Sequence, residues 1–257
     1  MLRGIDHIVI AAANLNDAVR NYNEAGFHVV AGGRHPIGTH NALIALADGA
    51  YIELISPMQD NIKTRWGKLL QDGSGLVDFC MQSDNLVDEI DRFRHAGIRM
   101  SDRQLLSRVR PDGYQLRWAF STPDDVSPGL IPFLIQDETP RQERVPKETT
   151  HPNKVSGIVA LTIAINDLPT ISRSYAAILN TDGTGIVRDD LNAIGVRFTM
   201  GHRKLDLLIS KGGNGRLSEW LRERGPSLYS VTLKTKGGRV ELMDDGKTRR
   251  LLPVIGR

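Results

Sequence analysis

The stretch Gly4–Phe27, GIDHIVIAAANLNDAVRNYNEAGF, reads as an apolar strand, a polar NLND turn and an amphipathic helix. Leu15, Val19 and Tyr22 recur at helical spacing, Asn14 is placed to cap the helix and Gly26 to end it. The same layout returns twice. In Gly75–Ile98, GLVDFCMQSDNLVDEIDRFRHAGI, the turn is SDNL, and in Gly157–Asn180, GIVALTIAINDLPTISRSYAAILN, it is NDLP. Each helix is followed by short β-like runs: FHVVAGG, NALIAL and AYIELIS in the first copy, YQLRWAF and LIPFLIQ in the second, AIGVRFTM and KLDLLIS in the third. The unit is therefore βαβββ, and such a period governs any proposal about the fold.

The rhythm extends beyond the cores. NIKTRWGKLLQDGSG (61–75) precedes the second unit, and GGNGRLSEWLRERGP (212–226) precedes a further strand, SLYSVTLKT (227–235). The remaining run to the C-terminus is too short for a full unit, so the expectation is three complete modules and a truncated fourth. The polar, proline-bearing run from Asp137 to Val155 is the best linker. This predicts an α+β chain with a two-module domain over 1–140, a linker over 141–154, and a dimerisation or accessory half over 155–257.

Composition narrows the function classes. With 40% hydrophobic and 25% charged residues in 257, the chain is an ordinary soluble globular protein. Its net charge of +3 falls short of a nucleic-acid footprint, and basic runs such as RPDGYQLR are interrupted by acids. No segment approaches membrane-spanning length. The apolar run in MLRGIDHIVI is short and holds Asp6 and His7, unlike a signal peptide. A single cysteine, Cys80, excludes an internal disulfide and suits a reducing compartment. The expected setting is the cytoplasm, with no nucleic-acid or membrane partner. No nucleophile elbow, Walker loop or dinucleotide fingerprint occurs.

Two polar residues stand out in apolar strands: His7 in GIDHIVIA and Glu53 in AYIELIS. An inward, unpaired Glu53 would be costly, so it requires a cation, a proton or strong hydrogen bonds. The glycine-rich loop GGRHPIGTHN (32–41) lacks a following helix and is no phosphate cradle; Gly32, Gly33 and Gly38 suit a tight bend. His35, His40 and Asn41 either line a pocket or order this loop. In YQLRWAF, Tyr114, Leu116 and Trp118 share one face and Gln115 and Arg117 the other. Arg117 is then either a clamp for an anionic oxygen or a solvated side chain, with Trp118 in the core. Cys80 has no neighbouring base and reads as an inert buried thiol.

Several stretches together, GIDHIVIAAANL, GGRHPIGTHNALIAL, YIELI, DGYQLRW, IPFLIQD and HPN (151–153), resemble the glyoxalase-like domain family of the vicinal oxygen chelate superfamily. That superfamily includes glyoxalase I, extradiol dioxygenases, fosfomycin-resistance enzymes and bleomycin-binding proteins. The resemblance implies that paired βαβββ modules form a curved mixed sheet around a cavity (the glyoxalase/bleomycin resistance/dioxygenase fold). It also implies a divalent metal, with ligands from the first and last strands of each unit. His7 and Glu53 occupy two such positions, and the N/O set would suit iron, manganese, zinc, nickel or cobalt. Aligned on its leading glycine, unit two offers Asp78 and Phe133, and unit three Ala160 and Asp206. Asp78 or His40 would complete the set, whereas Phe133 cannot.

The function implied is a lyase, isomerase or dioxygenase acting on a small oxygenated molecule by chelating its oxygens and stabilising an enolate or oxyanion. Glu53 and His7 are its catalytic candidates. His40, Asn41, Arg117, Trp118 and Phe133 are its substrate contacts. The alternative is a metal-free protein that sequesters a small molecule, as the bleomycin-resistance proteins do. Uncovered sheet edges around the truncated module lead to the expectation of a homodimer.

Overall fold

The computed structural model describes residues 1–59, 63–71, 75–243 and 252–255. The first unit is β1 (Leu2–Ala11), α1 (Leu15–Glu24), β2 (Val30–Arg34), β3 (Thr39–Ala45) and β4 (Tyr51–Pro57). A short α2 (Gly67–Gln71) leads to β5 (Gly75–Ser83), α3 (Leu86–His95), β6 (Gln104–Val109), β7 (Gln115–Ser121) and β8 (Phe133–Asp137). After α4 (Arg141–Arg144) come β9 (Val155–Ala164), α5 (Leu168–Leu179), β10 (Thr184–Arg188), β11 (Ala193–Met200) and β12 (Arg203–Ser210). The chain continues through α6 (Arg216–Arg224), β13 (Ser227–Thr235), β14 (Gly238–Met243) and β15 (Leu252–Ile255).

The first helix starts and stops as the sequence predicts, and α3 and α5 follow the same pattern. Asn14, Asn85 and Asp167 each accept a backbone N–H of the first turn of α1, α3 and α5. Gly26 and Gly97 follow α1 and α3 at positive φ, and Asn180 takes the same left-handed role after α5.

Modules one and two close on each other as an eight-stranded barrel in the order β1-β4-β3-β2-β6-β7-β8-β5. The first strand of each unit pairs in parallel with its last, and β1 pairs with β5 antiparallel. Ile8 and Ile10 of β1 face outward into a large core with Tyr22, Ile52 and Phe93. Val9 and Ala11 face inward to a smaller cluster closed by Trp66, Leu69 and Leu70. Both faces of β1 are thus dry, which explains its unbroken apolar run.

Modules three and four form a seven-stranded open sheet, β10-β11-β12-β9-β13-β14-β15. With no helix between them, β13 and β14 make an antiparallel hairpin, where β5 and β8 run parallel. Residues 244–251 of the truncated module lie outside the described residues. Trp220 and Leu217 of α6 fill one end of this sheet much as α2 fills the barrel.

The two sheets share one hydrophobic core. The segment 141–154, expected as a linker, packs on the barrel. His151 is buried, accepts the His28 N–H at Nδ1 (3.0 Å) and meets the Ala45 carbonyl at Nε2 (2.9 Å).

The barrel's second seam, β2 to β6, rests on the single pair Arg34–Val109. There Gly33 has φ +142°, and a β-carbon on it would lie 2.1 Å from the Val109 carbonyl oxygen. Gly33→Ala is expected to cost about 2 kcal/mol or more in urea unfolding. An unchanged midpoint would mean the seam is not closed as described.

Candidate functional site

A cavity of about 340 Å³ occupies the barrel interior. Its walls are largely apolar and aromatic, with Tyr51, Trp66, Trp118, Phe120 and Phe133 among them. The polar groups gather around β1, β3, β4 and β6.

Asp6 and His7 are adjacent in a strand, where side chains should point to opposite faces. A register shift between Ile5 and His7 relaxes this alternation, and Asp6 Oδ1 lies 2.7 Å from His7 Nδ1. Asp6 is fully buried and held from behind by Arg144, whose Nη1 and Nη2 donate to its two oxygens at 3.0 Å each. Arg141 donates to the same carboxylate. Arg144 also donates to Asp137 through Nε (2.5 Å) and to the Tyr51 hydroxyl through Nη1 (2.7 Å). Desolvation works against the Asp6 carboxylate, but the Arg144 charge and the His7 hydrogen bond outweigh it. Its pKa is held well below the usual range. Burial likewise opposes the Arg144 charge, and Asp6 overrides it, so Arg144 stays protonated.

An ionised Asp6 can only accept, so His7 Nδ1 carries a proton and Nε2 is left facing the cavity. The ring lies flat on Tyr51 (centroids 4.6 Å, 17° between planes) and edge-on to Phe133 (5.3 Å). His7 Nε2 stands 3.5 Å from Glu53 Oε2. The other Glu53 oxygen accepts the Asn41 amide N–H at 2.5 Å. Asn41 Oδ1 in turn accepts Arg108 Nη1 at 3.2 Å, and Arg108 Nη2 donates to the Arg144 carbonyl at 2.9 Å. The amide's orientation is fixed by these two neighbours. Among the described residues Arg108 forms no ion pair, though it is only 3% exposed. Desolvation lowers its pKa, with Tyr51 and Glu53 acting the other way. His35 is also buried, against Thr39 (3.0 Å) and the edge of Trp118; burial pushes its pKa down to about 4, so it is neutral.

Of the residues singled out in the sequence, the fold brings His7, His35, Asn41, Glu53, Trp118 and Phe133 to this cavity. His40 lies on the opposite face of β3 from Thr39 and Asn41, half-buried and away from Glu53. Arg117 is exposed on the outside of β7, so of its two readings the solvated one describes it. Asp78 is fully buried, but its oxygens are already engaged by Arg65, Trp66 and the backbone N–H groups of Phe79 and Gly129. Burial raises its pKa against the pull of Arg65. Cys80 is buried, and burial pushes its thiol well up, which makes it inert.

Strand register supports the alignment of the three units. Val9–Glu53, Cys80–Phe133 and Thr162–Asp206 are equivalent pairs, each beginning at the fifth residue after the leading glycine. Phe133 therefore stands where a fourth ligand would come from. Among the described residues, no three His, Cys, Asp or Glu side chains gather to hold a metal ion. His7 and Glu53 are left as two donors, one Glu53 oxygen being taken by Asn41 and a guanidinium standing behind it. This donor set does not fit a resident divalent ion.

The sequence reading missed Asp6, Tyr51, Arg65, Arg108 and Arg144. Gly32 carries a related signal: a β-carbon there would lie 2.1 Å from Asn41 Oδ1 and 2.9 Å from Arg108 Nη1. It makes room for the Asn41–Arg108 contact as well as for a bend.

Comparison with known proteins decides the family, since the glyoxalase-like domain model matches residues 5–179. The chain belongs to the glyoxalase-like domain family. It is thereby a member of the vicinal oxygen chelate superfamily. A hypothetical protein from Staphylococcus aureus has a similar structure: TM-score 0.61 at 15% identity, over 80% of this chain and 86% of that one. So does a mutant 4-hydroxymandelate synthase from Streptomyces coelicolor: TM-score 0.57 at 13% identity, over 90% and 71%. At such identities the likeness is one of fold. No curated protein matches the chain.

The Asp6 network has a pH signature in this glyoxalase-like protein. Because its folded pKa lies below the unfolded value of about 3.9, its ionisation stabilises the fold fully above that value. The contribution is lost as pH falls through the folded pKa. Arg144→Met removes two donors from the buried carboxylate, leaving it Arg141 and His7, and is expected to cost about 3–5 kcal/mol near neutral pH. It should also move acid unfolding to higher pH. Urea titrations across the acid range check both, and a variant as stable as wild type would contradict the role given to Arg144.

Proposed function

We propose that this protein is a glyoxalase-like enzyme that moves a proton on a small, largely apolar organic molecule, beside an oxygen that becomes negative in the reaction. One observation carries the reading. A glutamate is held by Asn41 at one oxygen and faces an Asp-backed histidine with the other, inside a cavity whose walls are largely apolar and aromatic.

Glu53 is the base. Its Oε2 takes a proton from carbon next to a carbonyl, the C–H electron pair becomes the C=C of an enolate, and the carbonyl oxygen takes the negative charge. Arg108, buried without a carboxylate of its own among the described residues, lies in the same wall and offsets that charge. Glu53 passes this proton to His7 Nε2, Asp6 stabilises the imidazolium so formed, and Nε2 then returns the proton to the enolate. The dry walls keep these groups strong by excluding water. No step is assigned to a metal, because the donor set falls short of one.

A second reading, a metal-free protein that binds and sequesters an aromatic compound, draws support from Phe133 at the Glu53-equivalent position and from the aromatic walls. A cytoplasmic, homodimeric setting is part of the proposal. A dimer would cover the open edge strand β10. Among the described residues no helix is long and apolar enough to cross a membrane.

The test is proton exchange in deuterated water, followed by NMR over a panel of small ketones and 2-oxo acids. At least one member is expected to exchange its α-proton in a chelator-insensitive way. Glu53→Gln should slow it by about 10²–10⁴-fold. If compounds bind but none exchanges, the sequestering reading replaces the enzyme. Exchange that needs an added divalent ion would overturn the metal-free assignment.

A further inference from the structure

Beyond the reacting end, the cavity contains a second polar group that the proton-transfer chemistry does not use. Lys63, Thr64, Arg65 and Trp66 run along its wall just before α2. This run is anchored from beneath: the buried Asp78 carboxylate accepts Trp66 Nε1 (3.1 Å) and pairs with Arg65 Nε (3.2 Å). Backbone N–H groups of Phe79 and Gly129 complete the contacts on that carboxylate. The Asp78 pair fixes one edge of the Arg65 guanidinium and leaves the other edge to be used.

That other edge is unsatisfied. Arg65 Nη1 is buried and has no hydrogen-bond partner among the described residues, and the same holds for Thr64 Oγ1 beside it. Leaving such donors unpaired is costly, so a binding partner with acceptor oxygens is the natural complement. The guanidinium carbon sits 5.7 Å from the centroid of the Phe133 ring, and Phe133 meets the His7 ring edge-on at 5.3 Å. Arg65 and His7 of the reacting pair thus both neighbour one phenylalanine. The lining charges point the same way: among the described residues, Lys63 and Arg108 line the cavity with no ion pair of their own, whereas Arg65 and Arg144 are paired with Asp78 and with Asp6 and Asp137.

We propose that Thr64 and Arg65 form a carboxylate-binding subsite, and that the molecule this cavity takes is an organic anion with an aromatic or bulky apolar body. Arg65 holds the carboxylate through its free edge, in the planar geometry that guanidinium offers. Trp66, Trp118 and Phe133 enclose the body. The proposal rests on the cavity being a ligand site, as the functional reading does. It is tested by binding without turnover, so failure to exchange protons leaves it standing.

The experiment compares phenylacetate with its neutral isostere phenylacetamide, using the fluorescence of the two cavity tryptophans, Trp66 and Trp118. Wild type is expected to prefer phenylacetate by about tenfold or more. Arg65→Gln should abolish the preference while circular dichroism stays unchanged. Arg65→Lys, which keeps the charge and the Asp78 pair but loses the planar fork, should retain part of it. Three results would overturn the subsite: equal affinity for the two compounds in wild type, failure of both to bind, or an Arg65→Gln variant that keeps the preference.

Discussion

The ion pair between Asp6 and Arg144 joins the parts of this molecule that matter for chemistry. Asp6 belongs to the first strand and Arg144 to a segment just past the barrel, so their contact ties the end of the second module back to the beginning of the first. The same carboxylate sets the protonation of His7 Nδ1, which turns Nε2 toward Glu53. The Arg144 backbone carbonyl also receives Arg108, and its Nη1 holds the Tyr51 hydroxyl. A pair this deep gives little net stability against a well-packed apolar replacement. Its effect lies in orientation: three cavity residues, His7, Tyr51 and Arg108, take their positions from it.

The three module copies occupy one position with three chemistries. Glu53 in the first is hydrogen-bonded and open to a cavity. Phe133 in the second contributes an aromatic wall. Asp206 in the third is gripped by Arg197, with both contacts at 2.6 Å, and is approached by Arg188, so its carboxylate is spent on ion pairs. The barrel has a working interior because two modules close on each other. The second sheet stays open because its fourth module turns back as a hairpin. Repetition of the fold did not carry repetition of the site.

Much of the architecture was legible in the sequence because it rests on local rules. Apolar strand, Asx cap, amphipathic helix and glycine stop recur with a period that one reading can count. Glu53 and His7 were legible for a related reason, since each is a costly exception in an apolar strand. Their partners were harder to see. Asp6 was masked by strand alternation, which assigns neighbours to opposite faces; a register shift breaks that rule here. Arg144 sat in a polar, proline-bearing run that reads as a linker, and Arg108 lies just before the broken cluster Arg110–Arg117 and drew no reading of its own. Long-range pairing decides both, and no local pattern encodes it. His40 and Arg117 erred in the converse way, because facing cannot be set from composition alone; Thr39 with Asn41, and Leu116 with Trp118, take the inward positions.

The protonation of His7 is central to the proposed chemistry, since it makes Asp6 the orienting group and Glu53 the base. Nitrogen NMR of the protein labelled at histidine reads it directly, with Asp6→Asn and Glu53→Gln as assignment controls. The expected result is a neutral ring that carries its proton at Nδ1, and an Nε2 resonance that shifts when Glu53 is replaced. A neutral ring protonated at Nε2 and bare at Nδ1, or an Nε2 indifferent to Glu53, would contradict it.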